Sequence, residues 1–293
     1  MMNQEDNGIR GKDVISFLAR SFPQLYINPE TEDAAEIYRN VVLRGMQVPG
    51  LSLSHFLTDD EDRTYLEHLP SGTVRIVELA RREDFELFLK IVAGRCQGLE
   101  IPATQGASML RGVINRGTIR AFESQHPTEA EMDAFLKDHS RYRDMLIILS
   151  RGPYSGLPWQ DTGMEEDAWL RMSLSIRKYH ECTHALYRQT GGRMLLPIPE
   201  EVLADAVGLY GACGAFSADL ALRFLGLKGE RPGRLRNYLS EGDREDLWNQ
   251  RCAQAIEALE KMNPDRKMNP WEYAMALRDR VEELFPLCAW KED

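Results

Sequence analysis

Two histidines four positions apart, with a glutamate directly after the first, form the run HECTH (His180–His184). The segment that carries them has the pattern of a long helix. Between Met164 and Gln189, the residues Trp169, Met172, Ile176, His180, His184 and Tyr187 recur every three or four positions, so they share one face, and Gly191-Gly192 stops the pattern. At about 100° per residue, His184 lies only about 40° round the helix from His180. Tetrahedral zinc takes imidazole donors, and two of them one turn apart can reach a single ion. Glu181 lies about 100° from His180 and about 60° from His184, close enough to meet a water at the ion without ligating it. The bland alternative makes the histidines satisfied core residues and leaves Glu181 solvated.

A third ligand has to come from an element packed alongside. The short connection GGRMLLPIP leads into a second helical pattern, beginning near Pro199 and running through EEVLADAVGLYGACGAF. Glu201 and Asp205 fall one turn apart on one of its faces, and Gly208 and Ala212 continue that face with residues small enough for close helix approach. Glu201 can complete a His2Glu set. Asp205 can accept the spare ring N–H of His180 and fix its tautomer.

HECTH followed by EVLAD resembles the gluzincin, thermolysin-like branch of the zincin metallopeptidases, over roughly residues 144 to 215. The whole chain also resembles bacterial HExxH proteins with no assigned activity. The gluzincin resemblance implies zinc ligands His180, His184 and Glu201, general base Glu181, and Asp205 as the carboxylate behind a ligand. It also implies an edge strand ahead of the HExxH helix that pairs with an extended peptide, for which DMLIILS (Asp144 to Ser150) is the natural candidate. Three features depart from the family pattern. The stretch from His184 to Glu201 is shorter, Glu200 stands where the family has Asn, and no histidine follows His184 to stabilise an oxyanion. Tyr187, one turn beyond His184, and Tyr154, in the loop after the expected edge strand, are the candidates for that role; both also read as core tyrosines.

The rest of the chain sets the frame. The fold class is α+β and zincin-like: residues 1–163 form an N-terminal mixed lobe with a small sheet, including an edge strand at 144–150, and residues 164–293 form a helical lobe carrying the metal-site helices. Strands are expected at Thr73–Leu79 and Asp144–Ser150. Helices are expected over Asn28–Gly45, from a capping box Thr58–Glu61, over REDFELFLKIVAG, over PTEAEMDAFLKDH, after Ser240, and from the box NPWE to about Phe285. The Gly-rich IPATQGASMLRGVINRGTI is left unassigned.

With 46 acidic against 36 basic residues and no dense basic run, nucleic acid is an unsuitable partner. No apolar run has the length of a signal segment or a membrane helix, and five scattered cysteines fit reduced thiols, so a cytoplasmic protein without membrane contact is expected. The basic segment Gly226–Arg236 reads as a solvated loop or a holder of a substrate carboxylate. His126 and His139 could approach the cleft. Cys182 points to the back of the helix. These residues predict a zinc-dependent hydrolase of a peptide or small amide; the competing reading is a zinc-stabilised binding or regulatory protein without catalysis.

Overall fold

A computed structural model describes residues 8–231, 233–262, 268–286 and 288–291. The amino-terminal stretch read above for a signal segment lies partly outside these residues. The fold is α+β, and the chain divides into two compact units: Met1–Glu67 with Thr73–Arg151, and His68–Gly72 with Gly152–Asp293. Among the described residues no helix is long and apolar enough to cross a membrane.

The first unit is built on a five-stranded sheet of β1 (Ile9–Arg10), β2 (Arg63–Leu69), β3 (Gly72–Leu79), β4 (Ala107–Ile114) and β5 (Arg143–Ser150), in the order β1-β2-β3-β5-β4. The expected strand at 144–150 is present but is no edge. β5 pairs in parallel with β3 on one side and antiparallel with β4 on the other, so its backbone groups are committed on both sides. Its run Leu146–Leu149 is fully buried, as a continuous apolar segment in an interior strand should be. The edges are β1 and β4. The Gly-rich stretch supplies β4, with a bulge at Gly112 (φ +70°), and the helix after it.

The helices of this unit are α1 (Asp13–Ser21), α2 (Ala34–Tyr38), α3 (Arg82–Val92), α4 (Arg116–Glu123) and α5 (Glu129–Lys137). Phe85, Phe88 and Leu89 of α3, Val14 and Leu18 of α1, and Leu146 and Ile148 of β5 belong to one core. Two expectations fail for a related reason: the polar groups where a helix was expected to start are engaged in turns and loops instead. Asn28 accepts from Glu30 in a turn, and the helix is confined to α2 and a π-helical turn over Arg39–Leu43. The segment after Thr58 is not helical. Asp84 takes the backbone N–H groups of Leu57 and Thr58, and Asp62 takes those of Asp59 and Ala80, which leads the chain into β2.

The second unit is helical: α6 (Glu166–Thr190), α7 (Pro197–Cys213), α8 (Ala218–Leu225), α9 (Glu245–Lys261), α10 (Pro270–Asp279) and α11 (Val281–Leu284). α7 is buried on nearly every side, with Leu203, Ala204, Ala206, Val207 and Leu209 fully buried, so it is the central helix of this unit. It lies against α6 at a separation that two glycines set. A Cβ on Gly208 would stand 3.0 Å from the Ile176 carbonyl oxygen, and one on Gly211 would stand 2.5 Å from the Tyr179 ring. Gly208→Val is therefore expected to destabilise the protein by about 2–3 kcal/mol, lowering the thermal midpoint by roughly 5–10 °C. An unchanged melting curve would mean that the helices separate freely there.

Candidate metal centre

α6 and α7 bring His180, His184 and Glu201 together. The two Nε2 atoms are 3.1 Å apart; Glu201 places Oε2 3.3 Å from Nε2 of His180 and Oε1 3.4 Å from Nε2 of His184. They are the one group of three such side chains that could hold a metal ion among the described residues. Donors at about 2.0–2.2 Å from a tetrahedral zinc stand about 3.3–3.6 Å from one another, so these residues fit the ion with little adjustment. Oε2 of Glu201 is buried without a hydrogen bond, the condition of an acceptor turned toward a cation.

Each imidazole is held from behind by a carboxylate. Nδ1 of His180 donates to Oδ1 of Asp205 at 3.0 Å, and Nδ1 of His184 donates to Oε1 of Glu200 at 2.9 Å. Asp205 stands where its spacing placed it. Glu200, one residue before Glu201, was missed in that role. Its second oxygen accepts from Arg188 at 3.0 Å. The signal was in the sequence: Arg188 lies one turn beyond His184 on the same helix.

Asp205 has further partners from distant segments. The Tyr154 hydroxyl donates to it at 2.7 Å and lies 2.9 Å from Nδ1 of His180, while Arg234 reaches both the Tyr154 hydroxyl, at 2.9 Å, and Asp205. Arg234 belongs to the basic segment Gly226–Arg236; it is not solvated but part-buried against the site. Tyr154 is fixed through its backbone N–H on Ser173 Oγ, and by Arg177, which donates to the carbonyls of Gly152 and Pro153. Tyr154 thus stands behind His180, on the Nδ1 side of the ring, away from Glu201. Tyr187 is placed elsewhere again: buried, with its hydroxyl donating to the Ala274 carbonyl on α10 at 2.8 Å, it is a core residue.

Tyr238, at the end of a short 3-10 turn over Arg234–Tyr238, is half-buried with its hydroxyl on Glu201; no spacing rule singled it out. Glu181 is half-buried, its carboxylate makes no hydrogen bond among the described residues, and its charge is felt by His184. Cys182 is fully buried at the back of α6. His126 and His139 belong to the first unit, where His139 packs edge-on against Tyr142.

The electrostatics favour positive charge at the two imidazoles. Burial opposes charge on both imidazoles, but Asp205 and Glu201 more than offset this for His180, and Glu201 and Glu200 push His184 up to about 10. Burial alone would raise the carboxyl pKa of both acids; His184 and His180 hold Glu201 well below the usual range, and Arg234 with His180 lowers Asp205. The cluster stabilises positive charge between its carboxylates, which protons or a metal ion can supply.

No curated protein and no solved structure matches the chain. A family model described as a family of unknown function, DUF7005, matches residues 10–277, and the chain belongs to that family.

Proposed function

We propose that this centre is the active site of a zinc-dependent hydrolase, a zincin-like metallopeptidase of gluzincin type acting on a peptide or similar amide bond. The observation that carries the reading is the convergence of three donor groups with a half-buried carboxylate, Glu181, that makes no hydrogen bond among the described residues. Zinc held by His180, His184 and Glu201 would supply Lewis acidity, lowering the pKa of a water toward 7 and polarising a carbonyl. Glu181 takes the proton of the attacking water and delivers it to the leaving amine nitrogen, so one carboxylate acts first as base and then as acid. Asp205, with Tyr154 and Arg234, holds the ring of His180 in place during this exchange. Five free cysteines, four of them buried, suit a cytoplasmic location for the enzyme.

One observation favours a second reading, a zinc-stabilised binding or regulatory protein. Both tyrosines expected to stabilise an oxyanion, Tyr154 and Tyr187, have their hydroxyls committed elsewhere. A single experiment separates the two. Protein purified without chelator is analysed for metal by plasma mass spectrometry and incubated with a pooled library of quenched fluorescent peptides. About one zinc per chain, with cleavage abolished by chelator and restored by zinc, is the expected result. Zinc without cleavage selects the second reading, and absence of metal after incubation with zinc overturns both.

A further inference from the structure

We infer that Glu200 is a second positioning carboxylate of the metal centre, which makes the site a preformed one for a tightly held, resident cation. The inference rests on the metal-centre reading and deepens it. Glu200 is buried, with one oxygen on Nδ1 of His184 at 2.9 Å and the other on Arg188 at 3.0 Å. Desolvating a carboxylate is costly unless it is paired and has something to do. Arg188 alone does not account for it, because a half-buried arginine one turn beyond His184 can turn its guanidinium to water. The hydrogen bond to His184 does account for it. A ring N–H given to Glu200 leaves the lone pair on Nε2, the nitrogen that faces Nε2 of His180 and Oε1 of Glu201.

Asp205 does the same for His180, so both imidazoles are held in the orientation a cation requires, with Nδ1 turned to a carboxylate and Nε2 turned to the other donors. The position of Glu200 supports the role. It lies in the first turn of α7, where the helix N-terminus favours a negative charge, and it precedes the ligand Glu201, so one turn of helix carries both the third donor and the support of the second. Arg188 offsets part of the charge that Glu200 adds beside the metal. Such outer carboxylates raise the basicity of the imidazole they hold, and their loss typically weakens metal binding 10–100-fold.

The test is the affinity of the full chain for Zn2+ alone, measured by competition with a chromophoric chelator, in the wild type, Glu200→Gln and Glu200→Ala. Glu200→Gln keeps an acceptor for the His184 ring and removes the charge. Glu200→Ala removes both. The expected order is wild type, then Gln, then Ala, with the Ala variant about 10–100-fold weaker and the Gln variant between. The Co2+ derivative reads the same site spectroscopically: its visible bands shift in both variants if the donor strength of His184 changes. Affinities within about twofold of the wild type, with an unshifted Co2+ spectrum, would mean that Glu200 merely packs, whatever it contributes to stability. Should Glu200→Ala fail to fold, the near-isosteric Gln variant carries the test. A wild type that binds no cation would overturn the metal-centre reading and this inference together. A wild type that binds with unperturbed Glu200 variants overturns only the inference. Because the readout is binding, absence of peptidase activity does not enter it.

Discussion

Glu181→Gln is expected to lower kcat/KM by about 10²–10⁴-fold while leaving one zinc per chain and an unchanged melting temperature. The size follows from the work assigned to this residue. A carboxylate that accepts the water proton and returns it to the leaving nitrogen cannot be replaced by an amide, which neither accepts nor releases a proton at neutral pH. The selectivity follows from the geometry. Glu181 is not among the three converging donors, and its carboxylate has no hydrogen bond among the described residues, so the nearly isosteric change removes neither a ligand nor a fold contact. The loss should fall on kcat with little change in KM, the signature of an interaction made in the transition state. Steady-state kinetics on the best library peptide, with metal analysis of the same preparation, checks it. Retained turnover would remove Glu181 as the base, and in the non-catalytic reading the substitution changes nothing measurable except a small charge effect.

The parts of this centre that could be read from the sequence are those that helix geometry specifies locally. His180, Glu181 and His184 are ordered by the turn of one helix, and Glu201 and Asp205 by the turn of the next. A short connection makes those two helices neighbours, and glycine at 208 lets their backbones approach. Glu200 was within reach of the same reasoning, because Arg188 and His184 are one turn apart. The remaining partners of Asp205 were not. Tyr154 precedes it by 51 positions and Arg234 follows it by 29, and neither sits in a pattern that reports burial. A basic loop reads as solvated until its one buried carboxylate partner is known. The position of β5 failed in another way. Its apolar run signals a strand, but whether that strand is interior or at an edge depends on β3 and β4, which pair with it from segments some 70 and 40 residues upstream. Thr58 and Asn28 show the converse, since capping residues specify a helix only when no better use of the backbone N–H groups exists nearby.

His184→Ala is expected to lose the metal, and with it most of the thermal stabilisation that zinc confers. In the wild type, zinc at about a thousand times its dissociation constant stabilises the folded state by roughly 4 kcal/mol, which raises the melting midpoint of the chelated protein by about 10 °C. The variant retains His180 and Glu201, two donors of three, and it leaves the Glu200 carboxylate with only Arg188. Its chelated form also melts at a different temperature from the wild type, because an imidazole that opposed the carboxylates of Glu201, Glu200 and Glu181 is gone. The quantity to compare is therefore the shift between chelated and zinc-loaded samples of each protein, in which that baseline cancels. Plasma mass spectrometry on the same samples should fall from about one zinc per chain to near zero. A variant that still binds zinc and still gains the full shift would place the ion elsewhere, and HECTH would then be a pair of core histidines satisfied by Asp205 and Glu200.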